Sequence, residues 1–184
     1  MKRLRWNIAA FAWGFAEGTL FFIVPDVILS WIGLKHGVRD AALASLIAAI
    51  GAACGGVIMY LWSAHDPASA YQTVLALPAI SEAMGAGARR AMETQGWFVA
   101  TFEGPLTSTP YKVYAVLAPQ VSAPLPAFAL ASIAARLPRF LVVSIGVALI
   151  GRGLRRWLNE RQLLWLLAGA WLLFYTAFFA RMPN

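Results

Sequence analysis

The chain has 184 residues, of which 60% are hydrophobic and only 12% are charged. A soluble domain carries about 25% charged residues, so this composition excludes an ordinary soluble fold and predicts a membrane protein. The net charge of +7 does not indicate nucleic-acid binding, because the basic residues stand at the ends of apolar segments and not on one face. These clusters are Lys2, Arg3 and Arg5; Lys35 and Arg39; and Arg152, Arg155, Arg156 and Arg161.

The first apolar stretch runs from Trp6 to Leu34, and polar or helix-breaking residues divide it into two halves: Gly14, Glu17, Gly18, Pro25 and Asp26. Each half is too short to cross a bilayer alone, since a spanning helix needs about 20 residues. A re-entrant helical hairpin fits this pattern, and non-helical backbone at membrane depth implies a lined cavity. A basic start before an apolar run is also typical of a signal peptide, but Glu17 interrupts the run, so we expect the segment to be retained.

Residues 41–62 form the clearest transmembrane segment, because they carry no charge over the length that a spanning helix needs. Gly51 and Gly55 lie four residues apart on this segment, a spacing that lets a second helix backbone approach closely. From residue 64 to residue 95, charged and polar residues alternate with apolar ones at near-helical intervals. This segment predicts amphipathic helices at the membrane interface.

Residues 96–119 repeat the plan of the first stretch. Glu103-Gly104-Pro105-Leu106 followed by Pro110-Tyr111-Lys112-Val113 resembles Glu17-Gly18-Thr19-Leu20 followed by Pro25-Asp26-Val27. We therefore expect a second re-entrant hairpin there, since paired broken segments are typical of transporters.

Two further membrane segments complete the chain. Residues 125–150 are long enough to span, with Arg136 and Arg139 around Pro138, which bends a helix. Asn159 with Gln162 three residues later predicts a helix start and a last transmembrane helix over residues 159–181. Its aromatic stripe is interpreted as lipid contact or packing: Phe174, Tyr175, Phe178 and Phe179.

These segments predict an all-α polytopic membrane protein with a single membrane domain over residues 1–184. Its parts are a first repeat (6–63), an interfacial amphipathic segment (64–95), a second repeat (96–151) and the C-terminal transmembrane helix (159–181). Each repeat is a re-entrant hairpin plus a transmembrane helix, and the two repeats are inverted. If the basic clusters face the cytoplasm, the N-terminus is cytoplasmic and the hairpin tips meet near the membrane midplane, where such folds bind substrates.

Six charged residues lie inside the apolar segments: Glu17, Asp26, Glu103, Lys112, Arg136 and Arg139. A central Asp, Lys or Arg costs about 2.5–3.5 kcal/mol on insertion scales, so these groups must pair, hydrate or bind a ligand. Arginine and lysine suit an anionic head group, which predicts substrate binding by Lys112, Arg136 and Arg139. A carboxylate in a low dielectric has a raised pKa and can carry protons. The predicted proton-coupling residues are Glu17 and Asp26, with Glu103 either a third proton site or the fixed partner of the bases.

Other chemistry has little support in the sequence. His36 and His65 are too few and too separate for a metal site, and Cys54 is the single cysteine, which excludes an internal disulfide. We expect no metal, no cofactor and no catalytic residue, so the chain is not predicted to be an enzyme. Besides a lipid carrier, the charges fit a proton-coupled small-ion carrier or channel, or a structural membrane-assembly factor in which ion pairs lock the hairpins.

Three stretches resemble the DedA family, also called VTT or SNARE-associated membrane proteins, and most closely its YqaA-like branch. Phe15-Ala16-Glu17 through Pro25-Asp26 is similar to the family's acidic first re-entrant segment, and Pro110-Tyr111-Lys112-Val113 is similar to its second. Ala135-Arg136-Leu137-Pro138-Arg139-Phe140 is similar to the arginine-bearing helix that follows. In the family an arginine precedes the proline of the second hairpin. The chain departs from this pattern, since Glu103 or Leu106 stands there instead.

The resemblance implies a multi-pass protein of the bacterial inner membrane that works as a lipid transporter or scramblase. In several members the proposed substrate is undecaprenyl phosphate, moved with help from the proton gradient. It marks Glu17 and Asp26 as essential acids and Lys112 as one essential base. The predicted function is therefore a proton-coupled flippase of an anionic lipid carrier, with membrane lipid and protons as partners and no nucleic acid. Self-association, the direction of transport and the coupling ion stay open.

Overall fold

The computed structural model describes residues 2–104, 107 and 109–181, and within this part of the chain every regular element is helical. The helices are α1 (Lys2–Gly18), α2 (Asp26–His36), α3 (Val38–His65), α4 (Pro67–Leu75), α5 (Glu82–Thr94), α6 (Trp97–Glu103), α7 (Tyr111–Leu117), α8 (Leu125–Leu154) and α9 (Glu160–Arg181). A short 3-10 turn, Ala118–Val121, follows α7. Three of the helices, α3, α8 and α9, are long and apolar enough to cross a membrane. Over residues 2–104 and 109–181 the protein is therefore all-helical and of membrane type, as its composition predicts.

Small residues join α1 to α3 along a close seam. Gly14 of α1 lies against the backbone of Ala48 in α3, and a Cβ at this glycine would collide with that carbonyl. One turn further, Gly18 lies against Ala52 in the same way, so α1 and α3 run parallel. The α3 glycines spaced four residues apart face the backbone of α1 equally closely. The predicted close helix approach is thus confirmed, and its partner is α1.

The central helices α3 and α8 run antiparallel. Near the start of α3, Ser45 Oγ lies 2.9 Å from Ser144 Oγ in the second half of α8. Near the end of α3, the Tyr60 hydroxyl donates a hydrogen bond of 2.6 Å to the carbonyl of Ala123, just before α8 begins. Pro138 lies inside α8 without ending it.

Helix α2 follows only the second half of α8 and runs parallel to it. At its start, Asp26 pairs with Arg139, near the middle of α8. At its other end, the Leu34 carbonyl accepts a hydrogen bond of 2.7 Å from Arg155, just beyond the end of α8. The segment between α1 and α2 therefore lies beside the centre of α8.

One end of the bundle collects the start of α1, the end of α2, the end of α8 and the start of α9. The rings of Trp6 and His36 are 5.9 Å apart there, and Lys35 Nζ lies 3.5 Å from Glu160 Oε1. We call this the basic end, because it collects seven arginines and lysines: Arg5, Lys35, Arg39, Arg152, Arg155, Arg156 and Arg161.

Helix α9 packs on α2, where Trp171 Nε1 donates a hydrogen bond of 2.9 Å to Ser30 Oγ. Its predicted start is confirmed. The Asn159 backbone N–H donates to Gln162 Oε1 and the Gln162 N–H donates to Asn159 Oδ1, each at 2.9 Å. Two backbone donors of the first turn are satisfied reciprocally, which is a capping box.

The segment 64–95 contains α4 and α5, and both helices cover α7. Val74 of α4 and Met92 of α5 are buried in the same apolar cluster as Val113 of α7. Ser63 at the end of α3 donates a hydrogen bond of 2.5 Å to the Val116 carbonyl, which ties α7 to α3. The apolar faces of the predicted amphipathic helices thus pack against a short helix, α7.

Candidate functional site

Residues 19–25 connect α1 to α2 and belong to no helix, and we call them the first break. Side chains from elsewhere bond their backbone. Trp13 Nε1 donates to the Ile23 carbonyl at 3.0 Å, and the Val24 N–H donates to the Tyr175 hydroxyl at 3.0 Å. Side chains of α1 and α9 thus satisfy part of this non-helical backbone.

Lys112 links the first break to the start of α7. Its side chain is buried, and its ammonium donates a hydrogen bond of 2.5 Å to the Phe21 carbonyl. In the described part of the chain, Lys112 forms no ion pair with a carboxylate. An ammonium has three N–H donors, so Lys112 keeps donors for a ligand.

A buried ion pair connects the end of α1 to the middle of α8. Glu17 accepts a hydrogen bond from Arg136 Nη2, and both residues are buried. The guanidinium also lies over two aromatic rings, 4.9 Å from the centroid of Tyr111 and 5.2 Å from that of Phe140. Arg136 Nε is buried and has no acceptor among the described residues.

A second ion pair lies one turn further along α8. Arg139 Nη2 lies 2.8 Å from Asp26 Oδ2. The side chain of Asp26 is buried, whereas 42% of the Arg139 side chain is exposed. Asp26 is thus enclosed, whereas the side chain of Arg139 remains partly exposed.

These charges border a cavity of about 310 Å³. Its charged lining consists of Glu17, Lys112, Arg136 and Arg139. Helix α9 contributes an aromatic wall of Phe174, Tyr175, Phe178 and Phe179, and the connection between α4 and α5 contributes residues 77–80. The cavity therefore combines a cationic side with an apolar wall.

Four of the six predicted site residues line this cavity, and Asp26 is paired to one of them. Glu103 is half-buried at the end of α6 and does not line the cavity, although the next residue, Gly104, does. Pro105 and Leu106, part of the predicted second hairpin, lie outside the described residues. Around the cavity, three cationic side chains face two carboxylates, which leaves an excess of positive charge.

Three tyrosines that were not predicted as site residues line the cavity, Tyr111, Tyr114 and Tyr175, and the first and last of them contact other groups of the site. Tyr111 lies beside Lys112 in the sequence, which was the one signal that could have drawn attention to it. Tyr175 belongs to the aromatic stripe interpreted as lipid contact or packing, yet it lines the cavity and bonds the first break. No local sequence pattern distinguishes a tyrosine that lines a cavity from one that would face lipid.

Comparison with known proteins gives no match to a family model, to a curated protein or to a solved structure. The described residues contain no group of three His, Cys, Asp or Glu side chains that could hold a metal ion. A function for this chain must therefore be argued from the cavity.

Proposed function

We propose that this chain is a membrane transporter or flippase of an anionic lipid carrier, with undecaprenyl phosphate or another polyprenyl phosphate as substrate. The cavity is the observation that carries the proposal, because cationic groups and an aromatic wall border the same space. An arginine fork is suited to phosphate oxygens, and an apolar wall is suited to a hydrocarbon chain. A small inorganic ion gains no favourable contact from an apolar wall, so the amphiphilic lining favours a lipid.

The helix directions support a re-entrant first hairpin. Helix α1 runs from the basic end to the centre of α8, and α2 returns from that centre to the basic end. In the proposed topology, α6 and α7 form the inverted counterpart and enter from the opposite end. The contact of Lys112 with the first break supports the meeting of the two hairpins.

We further propose that the basic end faces the cytoplasm of a bacterial cell, with the chain in the inner membrane as a DedA-like protein. The support is the collection of arginines and lysines at one end of the bundle, since cytoplasmic loops carry such an excess.

The ion pairs suggest how protons are coupled to transport in this proposal. Glu17 and Asp26 each pair with part of the guanidinium of Arg136 and Arg139, to which an incoming phosphate also binds. A proton taken up by either carboxylate weakens its ion pair and makes further donors of that arginine available to the phosphate. Proton and lipid anion are then carried in the same direction.

The proposal is tested in proteoliposomes by leaflet-resolved transport of a labelled polyprenyl phosphate under an imposed pH gradient. We expect Lys112→Gln and Arg136→Gln to lower the transport rate strongly. The matched control is Arg156→Gln, which removes a positive charge from a residue whose described ring contact is with Trp157, outside the cavity. Wild-type rates in both cavity variants would reject the carrier, and flux of a soluble anion without lipid would favour the small-ion carrier.

A structural membrane-assembly factor is the second candidate, because both buried acids of the site are already paired. The exchange of one pair, Glu17→Arg with Arg136→Glu, keeps an ion pair between α1 and α8 but moves the cation from α8 to α1. A carrier loses transport on this exchange, since the phosphate contact is displaced. Full cellular activity of the exchanged variant would favour the structural factor.

A further inference from the structure

Tyr111, the first residue of α7, is buried against the arginine that pairs with Glu17. Its ring stacks on Phe128 with 6.1 Å between centroids and 6° between planes, and the guanidinium of Arg136 lies 4.9 Å from its centroid. A cation is attracted to an aromatic face, most strongly where water is excluded. The ring therefore offers Arg136 a fixed surface that comes from another helix.

The hydroxyl of Tyr111 is held as well. Ser132 Oγ donates its single proton to the Phe128 carbonyl at 2.7 Å, so it accepts from the Tyr111 hydroxyl, also at 2.7 Å. Gly56 of α3 leaves the space for this ring, since a Cβ there would collide with the tyrosine ring and hydroxyl. Three helices, α3, α7 and α8, thus determine one orientation of the tyrosine.

The arginine held in this way has one buried nitrogen without an acceptor among the described residues. Arg136 Nη2 is engaged by Glu17, whereas Nε is buried without an acceptor in the described part of the protein. A buried donor without an acceptor is costly, and Arg136 lines the cavity, where an anion can supply one.

We infer that Tyr111 is a positioning residue, which holds the guanidinium so that Nη2 stays on Glu17 and Nε is presented to an anionic head group. This inference rests on the proposed function and names how its head-group site is organised. Tyr111 does not itself bind the anion in this arrangement, because its hydroxyl proton is directed to Ser132.

The test compares the binding of geranylgeranyl phosphate and geranylgeraniol to the full chain in micelles. The two probes share a hydrocarbon tail and differ in head group, so the ratio of their affinities measures head-group recognition. A variant that is merely misfolded or loosely packed weakens both. Tyr111→Leu removes the aromatic face, and Tyr111→Phe keeps the face but loses the bond to Ser132. The matched control is Tyr114→Leu, also buried on α7 and lining the cavity but without a described contact to Arg136.

We expect Tyr111→Leu to lower the preference for the phosphate about tenfold, as the loss of a desolvated cation–π contact implies. The expected loss for Tyr111→Phe is about threefold, since the ring remains but is less constrained. Tyr114→Leu should keep the wild-type ratio even if both affinities fall.

An unchanged ratio in Tyr111→Leu would overturn the positioning role and leave the proposed function standing, provided that the wild-type chain prefers the phosphate. If Tyr111→Leu does not fold, Tyr111→Phe decides by the same ratio. A wild-type chain with no preference for the phosphate would refute the proposed function and the positioning role together.

Discussion

Replacing Glu17 with glutamine is expected to destabilise the fold strongly, because the guanidinium of Arg136 then loses its counter-charge. The side chains of the pair are only 6% and 10% exposed, so little water can compensate. Removing one partner of a buried pair costs about 3–5 kcal/mol, and a lone charge at the membrane centre costs about 2.5–3.5 kcal/mol. In the double variant Glu17→Gln with Arg136→Met no charge is stranded, and we expect about half of the loss to be recovered.

The assay is reversible unfolding in mixed micelles, followed by tryptophan fluorescence and arranged as a double-mutant cycle. The control is Glu160→Gln, which breaks the pair with Lys35 at the basic end. That pair is 3.5 Å long and its side chains are 38% and 52% exposed. Exposed pairs contribute about 0–1 kcal/mol, so the control loss should be small. Equal losses of stability for Glu17→Gln and Glu160→Gln would refute this reasoning. So would a double variant no more stable than Glu17→Gln.

Three further changes test other parts of the fold. Gly51→Leu should separate α1 from α3 and lower the Tm in micelles. Gly146→Ala, where a Cβ meets nothing within 4 Å, should leave the Tm unchanged or raise it. Equal shifts of the Tm in the two variants would contradict the close packing of α1 on α3. Asn159→Ala should cost about 1 kcal/mol and speed amide hydrogen exchange in the first turn of α9, and an unchanged rate there would speak against the cap. Lys112→Gln removes an ammonium that bonds the first break, so exchange in that segment should accelerate, and wild-type protection would show that the bond is dispensable.

The helix positions could be predicted because apolar length and helix-ending residues are local properties. Residues 41–62 lie within α3, residues 125–150 lie within α8, and the capping box starts α9 where the sequence predicts it. The glycine spacing on α3 predicted a close approach but not the partner. That partner depends on which other helix also presents small residues at matching heights, and α1 does.

The candidate site was predictable as a set of residues and not as an arrangement. Charges inside apolar sequence are conspicuous because each is costly in a membrane, and four of the six line one cavity. Their pairing was not predictable, since Glu17 and Asp26 could each have met any of the three bases. The role of the set in lipid binding or proton coupling stays a prediction.

The sequence by itself determined that the chain is helical, apolar and interrupted by ionisable groups, because these properties follow from composition and local spacing. Only the tertiary structure decided that Glu17 meets Arg136 and that Asp26 meets Arg139. It also decided that Lys112 bonds a backbone carbonyl. The physical reason is that contacts between distant segments depend on how closely and in which direction helices pack, and helices pack closely where small residues leave no side chain to clash.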